Sequence, residues 1–428
     1  KVNSRVCTMA TAEGTARFVE RAVQCGVHRS NVRRLGRLSC TALGFGSYRL
    51  VPVGSGGGSG GSDHVAPSPV LRRALTWSNV IDTSSHYGAG HCERIIGATL
   101  KQIPDSPARE ELIICTKVGH VPRGQMPKGA VPIGAHRGEG TKSDDWHCIQ
   151  PEFVDAEVRA CAERLQTKPD FVFLHNPEYL LSARMREKVP IADAWDEMYQ
   201  SLFEAFKTLE RLCDDGAIAS GYGVSSNFLS CMFSVTGLPN LYESLVLERV
   251  VDAAASAARA AGLEQHRFQV AQLPLNIFEN GAVLGRGPGT QAEGDCSVAE
   301  RLGVSLLTNR PINALPMPGV STGDWGRGRN SYLQLREAKP MGTTQSLLKR
   351  VVRDATGEAD SPLQQAALRV AASNRISCTL NGAHEMKYVE DLETVLSKES
   401  FTESQVQSVM RSARSMATEL GCQTQGLW

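Results

Sequence analysis

The chain has 428 residues, of which 41% are hydrophobic and 21% charged, a balance typical of globular proteins rather than disordered chains. Its net charge of +1 gives no electrostatic reason to expect nucleic acid or an acidic membrane surface as a partner. No apolar run approaches the roughly 18–20 residues needed to cross a bilayer, so we predict no membrane span.

The twelve cysteines are spread along the chain. None forms a Cys-x-x-Cys pair, and no group of cysteines and histidines has the spacing of zinc ligands. We therefore predict free thiols in a reduced compartment, no metal site, and a protein that is not secreted.

Residues 1–37 form a basic N-terminal extension, with seven arginines against two glutamates. Such a composition is compatible with a segment next to an organelle targeting peptide, and equally with an ordinary basic arm. A mitochondrial, plastid or cytoplasmic location therefore stays open at this point.

From about residue 40, short apolar strands alternate with amphipathic helices. The predicted strands are Thr41–Gly46, Asn79–Asp82, Leu112–Lys117, Asp170–Leu174, Ala219–Val224, Phe268–Leu275, Val304–Thr308 and Ile376–Leu380. The predicted helices are Pro67–Thr76, His91–Gln102, Pro151–Gln166, Trp195–Leu212, Leu241–Gly262, Ser297–Leu302, Leu363–Ser373, Tyr388–Leu396 and Glu403–Leu420. Two segments without such a period, about 51–63 and 119–147, are predicted as long loop insertions.

Eight strands that are each followed by helical sequence predict a parallel sheet with helical crossovers. Eight units fit a closed (β/α)8 TIM barrel better than an open doubly wound sheet. Gly44-Phe45-Gly46 also lacks the third glycine that a dinucleotide-binding Rossmann sheet would place after its first strand. We predict an α/β barrel over 38–400, followed by a C-terminal helix and tail over 401–428.

Four polar side chains stand at or just after the ends of predicted strands, where a barrel places its catalytic groups. They are Asp82, Tyr87, Lys117 and His175. A lysine ammonium beside a phenol favours tyrosinate and is expected to lower the tyrosine pKa from about 10 toward working pH. The aspartate would orient the lysine, and the histidine would position a carbonyl oxygen against the tyrosine hydroxyl. A hydride has to come from a cofactor, because no protein side chain supplies one.

Five segments of the chain resemble motifs of the aldo-keto reductase family. They are ALGFGSYRL at 42–50, NVIDTSSHYGAGHCERIIG at 79–97, GVSSNF at 223–228, VAQLPLN at 270–276 and TNRPINA at 308–314. With Lys117 and His175 in order on later strand ends, the resemblance extends over roughly residues 38–396. It implies a larger family member with insertions that uses NADP(H) or NAD(H) and no metal.

The resemblance also implies which residues would contact the cofactor. Gly46 belongs to the first-strand motif, and Ser226, Asn227 and Gln272 would hold the nicotinamide carboxamide. The pyrophosphate would lie near Asn309 and Arg310, the 2′-phosphate near Gly382, Ala383 and Lys387, and the adenine near Asp391. Tyr388 stands where NADPH-preferring members commonly place an arginine, and Leu392 stands at the usual asparagine, so the preference between NADPH and NADH stays open.

Two functions remain after the sequence has been considered. The first is an oxidoreductase that interconverts an aldehyde, ketone or aldose and an alcohol by hydride transfer, with Tyr87 as general acid and base, alone or as a homo-oligomer. The second is an accessory subunit of a larger complex with a structural or redox-sensing role, as the potassium-channel β-subunits have within the family. The basic arm, the two insertions and the altered adenine site favour the second function, whereas the four ordered polar residues favour the first.

Overall fold

A closed barrel of eight parallel strands organises the part of the chain that the structure describes. The computed structural model describes residues 9–51, 65–103, 107–122, 124–133, 145–229, 245–285, 293–316, 332–334, 343–358 and 361–419. Most of the insertion predicted at 51–63, and residues 123 and 134–144 of the insertion predicted at 119–147, lie outside these ranges.

The strands are, in chain order, β1 Val32–Leu35, β2 Leu38–Thr41, β3 Leu43–Gly46, β4 Val80–Asp82, β5 Ile113–Val118, β6 His120–Val121, β7 Val131–Pro132, β8 Trp146–His147, β9 Phe171–His175, β10 Gly221–Ser225, β11 Phe268–Pro274, β12 Ser305–Asn309, β13 Asn313–Pro316, β14 Tyr332–Gln334 and β15 Cys378–Gly382. The helices are α1 Ala12–Gln24, α2 Pro69–Ala74, α3 His91–Lys101, α4 Pro151–Leu165, α5 Glu178–Arg186, α6 Ile191–Asp214, α7 Leu247–Ala260, α8 Gly281–Leu284, α9 Asp295–Leu302, α10 Thr343–Thr356, α11 Leu363–Ala371, α12 Met386–Ser397 and α13 Glu403–Glu419. Short 3-10 turns cover Arg29–Asn31, Ser47–Arg49 and Arg109–Glu111.

The barrel closes in the order β3, β4, β5, β9, β10, β11, β12, β15 and back to β3. All eight predicted strands are present, and each is shifted by two residues or fewer at its ends. β5 shows why the prediction succeeds: its residues are buried on both faces, as expected for a strand between a barrel interior and an outer layer of helices. The predicted (β/α)8 barrel is confirmed.

The hairpin of β1 and β2 lies at the amino-terminal end of the barrel strands. Leu35 and Leu38, at the closely paired end of the hairpin, are fully buried in a cluster that also contains Ile113 and Phe171 from the starts of β5 and β9. This arrangement fills one end of the barrel with apolar side chains. The opposite end of the barrel, where the polar residues lie, is therefore the end at which a ligand can bind inside the barrel.

The segment between β5 and α4 contains its own small sheet. β6 and β7 both pair with β8 in antiparallel register, with His120 opposite His147 and Val121 opposite Trp146. The sequence analysis predicts only an insertion without a period here, and strands of two residues are too short to produce one. The inserted sheet, defined as β6, β7 and β8, begins two residues after the end of β5 and therefore stands at the carboxyl end of the barrel.

Glu93 has a structural role. It lies in the first turn of α3. It is also fully buried, accepts a hydrogen bond from Thr116 Oγ1 at 2.6 Å, and pairs with Arg164 Nε at 2.5 Å. Because Arg164 belongs to α4, its pair with Glu93 joins α3 to α4, and Glu157 of α4 also contacts Arg164.

Candidate active site

The four predicted catalytic residues, called the tetrad from here on, meet at the carboxyl end of the barrel. Asp82 is the last residue of β4, Lys117 lies near the end of β5, and His175 is the last residue of β9. Tyr87 follows β4 in a turn held by the hydrogen bond from its backbone N–H to the Ser84 carbonyl oxygen at 3.1 Å. Adjacent parallel strands thus bring together residues that are 93 positions apart in the chain.

A buried ion pair forms the centre of the site. Lys117 is fully buried, Asp82 is 3% exposed, and Lys117 Nζ donates to Asp82 Oδ2 at 2.6 Å and to the Thr83 carbonyl oxygen at 3.0 Å. Burial by itself would lower the pKa of Lys117, but the interactions with Asp82 and Tyr87 together outweigh it, so the pKa of Lys117 is raised. The ammonium is therefore charged and fixed in direction.

Tyr87 presents its hydroxyl to this ammonium. Lys117 Nζ lies 3.4 Å from Tyr87 Oη and 5.0 Å from the centre of the Tyr87 ring. The sequence analysis expects a lowered tyrosine pKa, but burial raises the pKa of Tyr87 and the Lys117 charge offsets only part of that effect. This expectation is wrong in its net direction. A phenol that keeps its proton at neutral pH is suited to donate that proton.

His175 stands beside Tyr87 as a neutral imidazole. The two ring centroids are 6.2 Å apart, and the rings meet edge to face at 83°. Burial lowers the pKa of His175 well below its ordinary value, and the neighbouring histidines and Lys117 lower it further. His175 Nδ1 lies 3.3 Å from Ser84 Oγ, which fixes the ring and leaves Nε2 as the nitrogen for a ligand.

Gln272 connects this centre to neighbouring strands of the barrel. Its Nε2 atom donates to Asp82 Oδ1 at 2.8 Å, and its Oε1 atom accepts from Ser225 Oγ at 3.0 Å and from Asn309 Nδ2 at 3.3 Å. Gln272 thus binds Oδ1 of Asp82, whereas Lys117 binds Oδ2 of the same carboxylate. Its implied contact with a nicotinamide stays a proposal, and Ser225 is a member of the network that the sequence analysis did not name.

A buried carboxylate organises the other residues that were expected at the nicotinamide. Glu178 is 3% exposed, and it accepts hydrogen bonds from Ser226 Oγ at 2.8 Å, the Asn227 backbone N–H at 3.1 Å and Asn176 Nδ2 at 2.9 Å. Burial raises the pKa of Glu178. The sequence analysis did not single out Glu178, although its position three residues after His175 at a strand end was a usable signal.

Arg310 lies across the same side of the site. It makes a salt bridge with Glu279 at 3.1 Å and a hydrogen bond with Asn227 Oδ1. Its backbone is in the left-handed region at φ 57°, which is uncommon for a residue other than glycine. The structure therefore brings Arg310 into contact with Asn227. The implied contacts of these residues with a cofactor stay a proposal.

The ends of β3 and β15, which lie between β4 and β12 in the barrel, leave room for close approach by a ligand. Gly46 pairs with Gly382 in register, and a Cβ atom added at either glycine would meet the chain only at ordinary contact distances of 3.6–3.7 Å. The chain itself therefore does not require glycine at these positions, whereas an approaching ligand would. Nearby, Ser47 Oγ and Asn309 Oδ1 are buried with no hydrogen-bond partner among the described residues.

The residues expected at the adenine end sit around β15 and α12. Ala383 is buried directly after β15. Lys387, with a side chain 60% exposed, pairs with Glu385 at 2.9 Å, and Asp391 accepts a hydrogen bond from Gln365 Nε2 at 3.0 Å. These side chains are on the strand that neighbours Gly46 or on the helix that follows it, but they make no described contact with the tetrad.

Three more histidines, His86, His120 and His147, lie around His175. The sequence shows their positions in the chain but not that they are close together. His120 has its ring centroid 4.7 Å from that of His175 and 4.1 Å from that of His86. His147 donates from Nε2 to the His175 carbonyl oxygen at 2.7 Å. No periodic pattern in the sequence predicts this group of histidines, because the inserted sheet brings together His120 and His147, which are 27 positions apart in the chain. His136, also in the insertion, lies outside the described residues.

Within the described ranges, no group of three or more His, Cys, Asp and Glu residues is arranged to hold a metal ion. The cysteines in these ranges are free thiols. None of the helices described is long and apolar enough to span a bilayer.

The fold and site together define a (β/α)8 barrel protein with an Asp-Tyr-Lys-His group at the carboxyl ends of its strands. The model of the Aldo/keto reductase family matches residues 53–237, which include all four of these residues. The predicted resemblance to the aldo-keto reductase family is thereby confirmed. Similarity to this family supports an oxidoreductase activity in general.

Solved structures of other proteins have the same fold. A glycerol dehydrogenase from Gluconobacter oxydans is 18% identical, with 91% of this chain and 96% of that chain covered at a TM-score of 0.56. A holo-form aldo-keto reductase from Bacillus halodurans is 18% identical, with 89% and 96% covered at a TM-score of 0.53. An aldo/keto reductase from Klebsiella pneumoniae, solved with NADP and acetate, is 14% identical, with 90% and 95% covered at 0.51. At these identities the likeness establishes the fold alone. No curated protein matches the chain.

Proposed function

We propose that this chain is a nicotinamide-dependent oxidoreductase that interconverts a carbonyl compound and its alcohol, with Tyr87 as general acid and base. The observation that carries the proposal is the contact of Tyr87 Oη with Lys117 Nζ at 3.4 Å, while the same ammonium is held by Asp82 at 2.6 Å. A phenol, an ordered cation and a neutral imidazole around one position can polarise a carbonyl oxygen and protonate it.

Each member of the tetrad has a separate task in carbonyl reduction. His175, neutral and fixed by Ser84, donates a hydrogen bond that positions the carbonyl oxygen. Tyr87 then gives its proton to that oxygen, and the Lys117 ammonium stabilises the phenolate that is left. Asp82 keeps Lys117 charged and aimed at Tyr87. In alcohol oxidation Tyr87 takes the proton back, with the same partners in the same places.

A nicotinamide cofactor, when bound, supplies or accepts the hydride. The residues present fit such a group: the buried Ser47 hydroxyl and Asn309 amide oxygen lack partners in the described part of the chain, and Gly46 and Gly382 leave space beside them. Ser226, Asn227 and Gln272 would hold the nicotinamide, and Asn309 and Arg310 the pyrophosphate. Gly46, Gly382, Ala383, Lys387 and Asp391 would line the rest of the cofactor site.

The choice between NADPH and NADH depends on the start of α12. Lys387 is the exposed cation there, and it is already paired with Glu385 at 2.9 Å. Tyr388 is 6% exposed and packs in an apolar cluster, so it presents no charge to a 2′-phosphate. We infer that the site binds both NADPH and NADH and discriminates between them weakly.

The test begins with cofactor binding. The intrinsic tryptophan fluorescence of the purified protein is titrated with NADPH and with NADH, and we expect dissociation constants in the micromolar range for both. Absence of binding of either cofactor below millimolar concentration would overturn the enzymatic proposal and favour the accessory-subunit alternative.

The second step tests the role of Tyr87. The Tyr87→Phe variant should lose at least about a hundredfold in kcat for carbonyl reduction, because general acid catalysis contributes about 10²–10⁴-fold. Its affinity for the cofactor should stay within twofold of the wild-type value, which controls for folding of the site. Comparable kcat in this variant would remove Tyr87 from the proposed role.

A further inference from the structure

A cavity of about 290 Å³ lies away from the tetrad, at the amino-terminal end of the barrel strands. It is bounded by the turn of the β1–β2 hairpin and by the starts of β10 and β11, and we call it the amino-terminal cavity. The residues that line it include Arg37, Cys213, Ile218, Ser220, Arg267 and Gln269. Because β10 has five residues, about 13 Å of strand separates this cavity from the end of the barrel that holds the tetrad. The proposed carbonyl chemistry does not use it.

Arg37 brings a positive charge to this cavity that the described chain does not neutralise. It is exposed at the hairpin turn, and its side chain makes no ion pair within the described ranges. The turn itself is fixed, because Gly36 lies in the left-handed region at φ 58° and donates its backbone N–H to Ser305 Oγ at 2.9 Å. Arg34 Nη2 donates to the Arg37 carbonyl oxygen at 3.0 Å, which adds a second exposed guanidinium to the turn. The charge of Arg37 is therefore available to a ligand.

Arg267, the other arginine of the lining, is held in a fixed direction by two carboxylates. Its Nη2 atom lies 2.7 Å from Asp214 Oδ1, and its Nη1 atom lies 3.2 Å from Glu210 Oε2. Glu210 is fully buried, the Asp214 side chain is 62% exposed, and neither residue lines the cavity. The described residues of the lining thus include two arginines and no carboxylate, a combination that favours an anionic ligand.

Ser220 contributes a polar atom that lacks a partner. Its Oγ atom is buried and makes no hydrogen bond with any described residue. Its backbone, in contrast, is fixed: the N–H donates to the Asp170 carbonyl oxygen at 2.9 Å, and the carbonyl oxygen accepts from Gln269 Nε2 at 2.9 Å. Because a buried hydroxyl without a partner costs free energy, such a group is usually satisfied by ordered water or by a ligand.

Two guanidinium groups and a hydroxyl suit a phosphate group. A guanidinium can donate two parallel hydrogen bonds to phosphate oxygens, and a serine hydroxyl can donate to another oxygen. The cavity volume of about 290 Å³ is close to the lower end of the range of small-molecule sites, about 300–1,000 Å³. Beside the polar groups, Ile218 is apolar and Cys213 is a neutral thiol, since burial raises the pKa of Cys213 to about 12. We therefore propose that the amino-terminal cavity binds a phosphate group, either as free phosphate or as the monoester of a small molecule.

The experiment is isothermal titration calorimetry of the full chain with inorganic phosphate and with glycerol 3-phosphate. NADPH is present at a saturating concentration, so that neither ligand reports binding at the proposed cofactor site. We expect one site with a dissociation constant of about 1 mM or below at low ionic strength. Equal affinity for the two probes would identify free phosphate as the ligand, and tighter binding of glycerol 3-phosphate would identify a monoester. Absence of binding of both probes below about 10 mM would overturn the proposal.

Two substitutions locate the site. Arg37→Gln removes the unpaired charge, and Ser220→Ala removes the hydroxyl that has no partner. Each should weaken phosphate binding about tenfold, because each removes a hydrogen bond to a charged group. Thermal unfolding midpoints should stay close to the wild-type value, because neither removed group makes a hydrogen bond or ion pair with the described chain. Unchanged phosphate binding in both variants would overturn the assignment of the site to this cavity.

A matched control is Arg29→Gln, the same charge change at an exposed arginine in the 3-10 turn before β1, outside the cavity lining. It should leave phosphate binding within twofold of the wild-type value. An equal loss in Arg29→Gln and Arg37→Gln would mean that phosphate responds to overall charge alone, and would overturn the proposal. Since both test substitutions lie at the opposite end of the barrel from the tetrad, their result does not depend on whether the chain reduces a carbonyl compound.

Discussion

His147 is expected to make the stability of the fold depend on pH. It is 1% exposed, and burial lowers its pKa from 6.5 to about 4. The unfolded chain therefore takes up this proton near pH 6.5 and the folded chain only near pH 4, so the folded state loses stability as the pH falls through that interval. At about 1.4 kcal/mol for each pH unit, the loss amounts to about 3 kcal/mol.

The substitution His147→Phe removes the titrating group and keeps a ring in its place. It also removes the hydrogen bond from Nε2 to the His175 carbonyl oxygen, so the variant should be about 1 kcal/mol less stable than the wild type at pH 7. Between pH 7 and pH 4, however, the variant should lose about 3 kcal/mol less unfolding free energy than the wild type.

Urea unfolding, followed by tryptophan fluorescence at intervals of half a pH unit, measures both quantities. His91→Phe is the matched control, because His91 is exposed at the start of α3. It should follow the wild-type pH profile. Parallel profiles for the wild type and His147→Phe would refute the reasoning, since they would mean that His147 binds its proton equally well in the folded and unfolded chain.

Four further substitutions, used in three experiments, test other parts of the site. Lys117→Met leaves a buried carboxylate unpaired and should lower the unfolding free energy by about 3–5 kcal/mol, and adding Asp82→Asn should restore part of that loss; strictly additive losses in urea unfolding would contradict the pairing. Glu178→Gln should weaken cofactor affinity about tenfold in fluorescence titration, because the carboxylate accepts three hydrogen bonds that orient the residues after β9 and β10. An unchanged dissociation constant would make its role purely structural. Ser84→Ala should lower kcat about tenfold at constant cofactor affinity, because the tetrad imidazole loses the hydroxyl 3.3 Å from Nδ1; a kcat within twofold of wild type would exclude that role.

The barrel could be predicted because its strands obey one rule. A strand buried on both faces is a short run of apolar residues, and in a barrel its last residues face the ligand end. Asp82 and His175 are polar residues that end such runs, and Lys117 lies one residue before the end of β5. The tetrad was therefore visible as polar residues where packing alone would place apolar ones.

The residues that were not predicted depend on contacts without a local pattern. The hairpin of β1 and β2 is buried because Leu35 and Leu38 fill one end of the barrel, a contact between distant parts of the chain. The inserted sheet consists of two-residue strands, which are too short to show a pattern. The pKa of Tyr87 shows the same limit. The sequence identifies the cation beside the phenol, but the desolvation that outweighs it depends on the whole surrounding structure.

The polar atoms of the site that have hydrogen-bond partners and those that lack them lie in different places. Asp82 and Lys117, at the centre, have their hydrogen bonds supplied by the chain, so they need no rearrangement when charge develops on a substrate oxygen. Ser47 and Asn309 retain buried polar atoms without partners in the described structure. Because burying such atoms without a partner costs free energy, they mark the places where ligands can restore hydrogen bonds. The cofactor is thus expected beside Ser47 and Asn309, next to a centre that is already assembled.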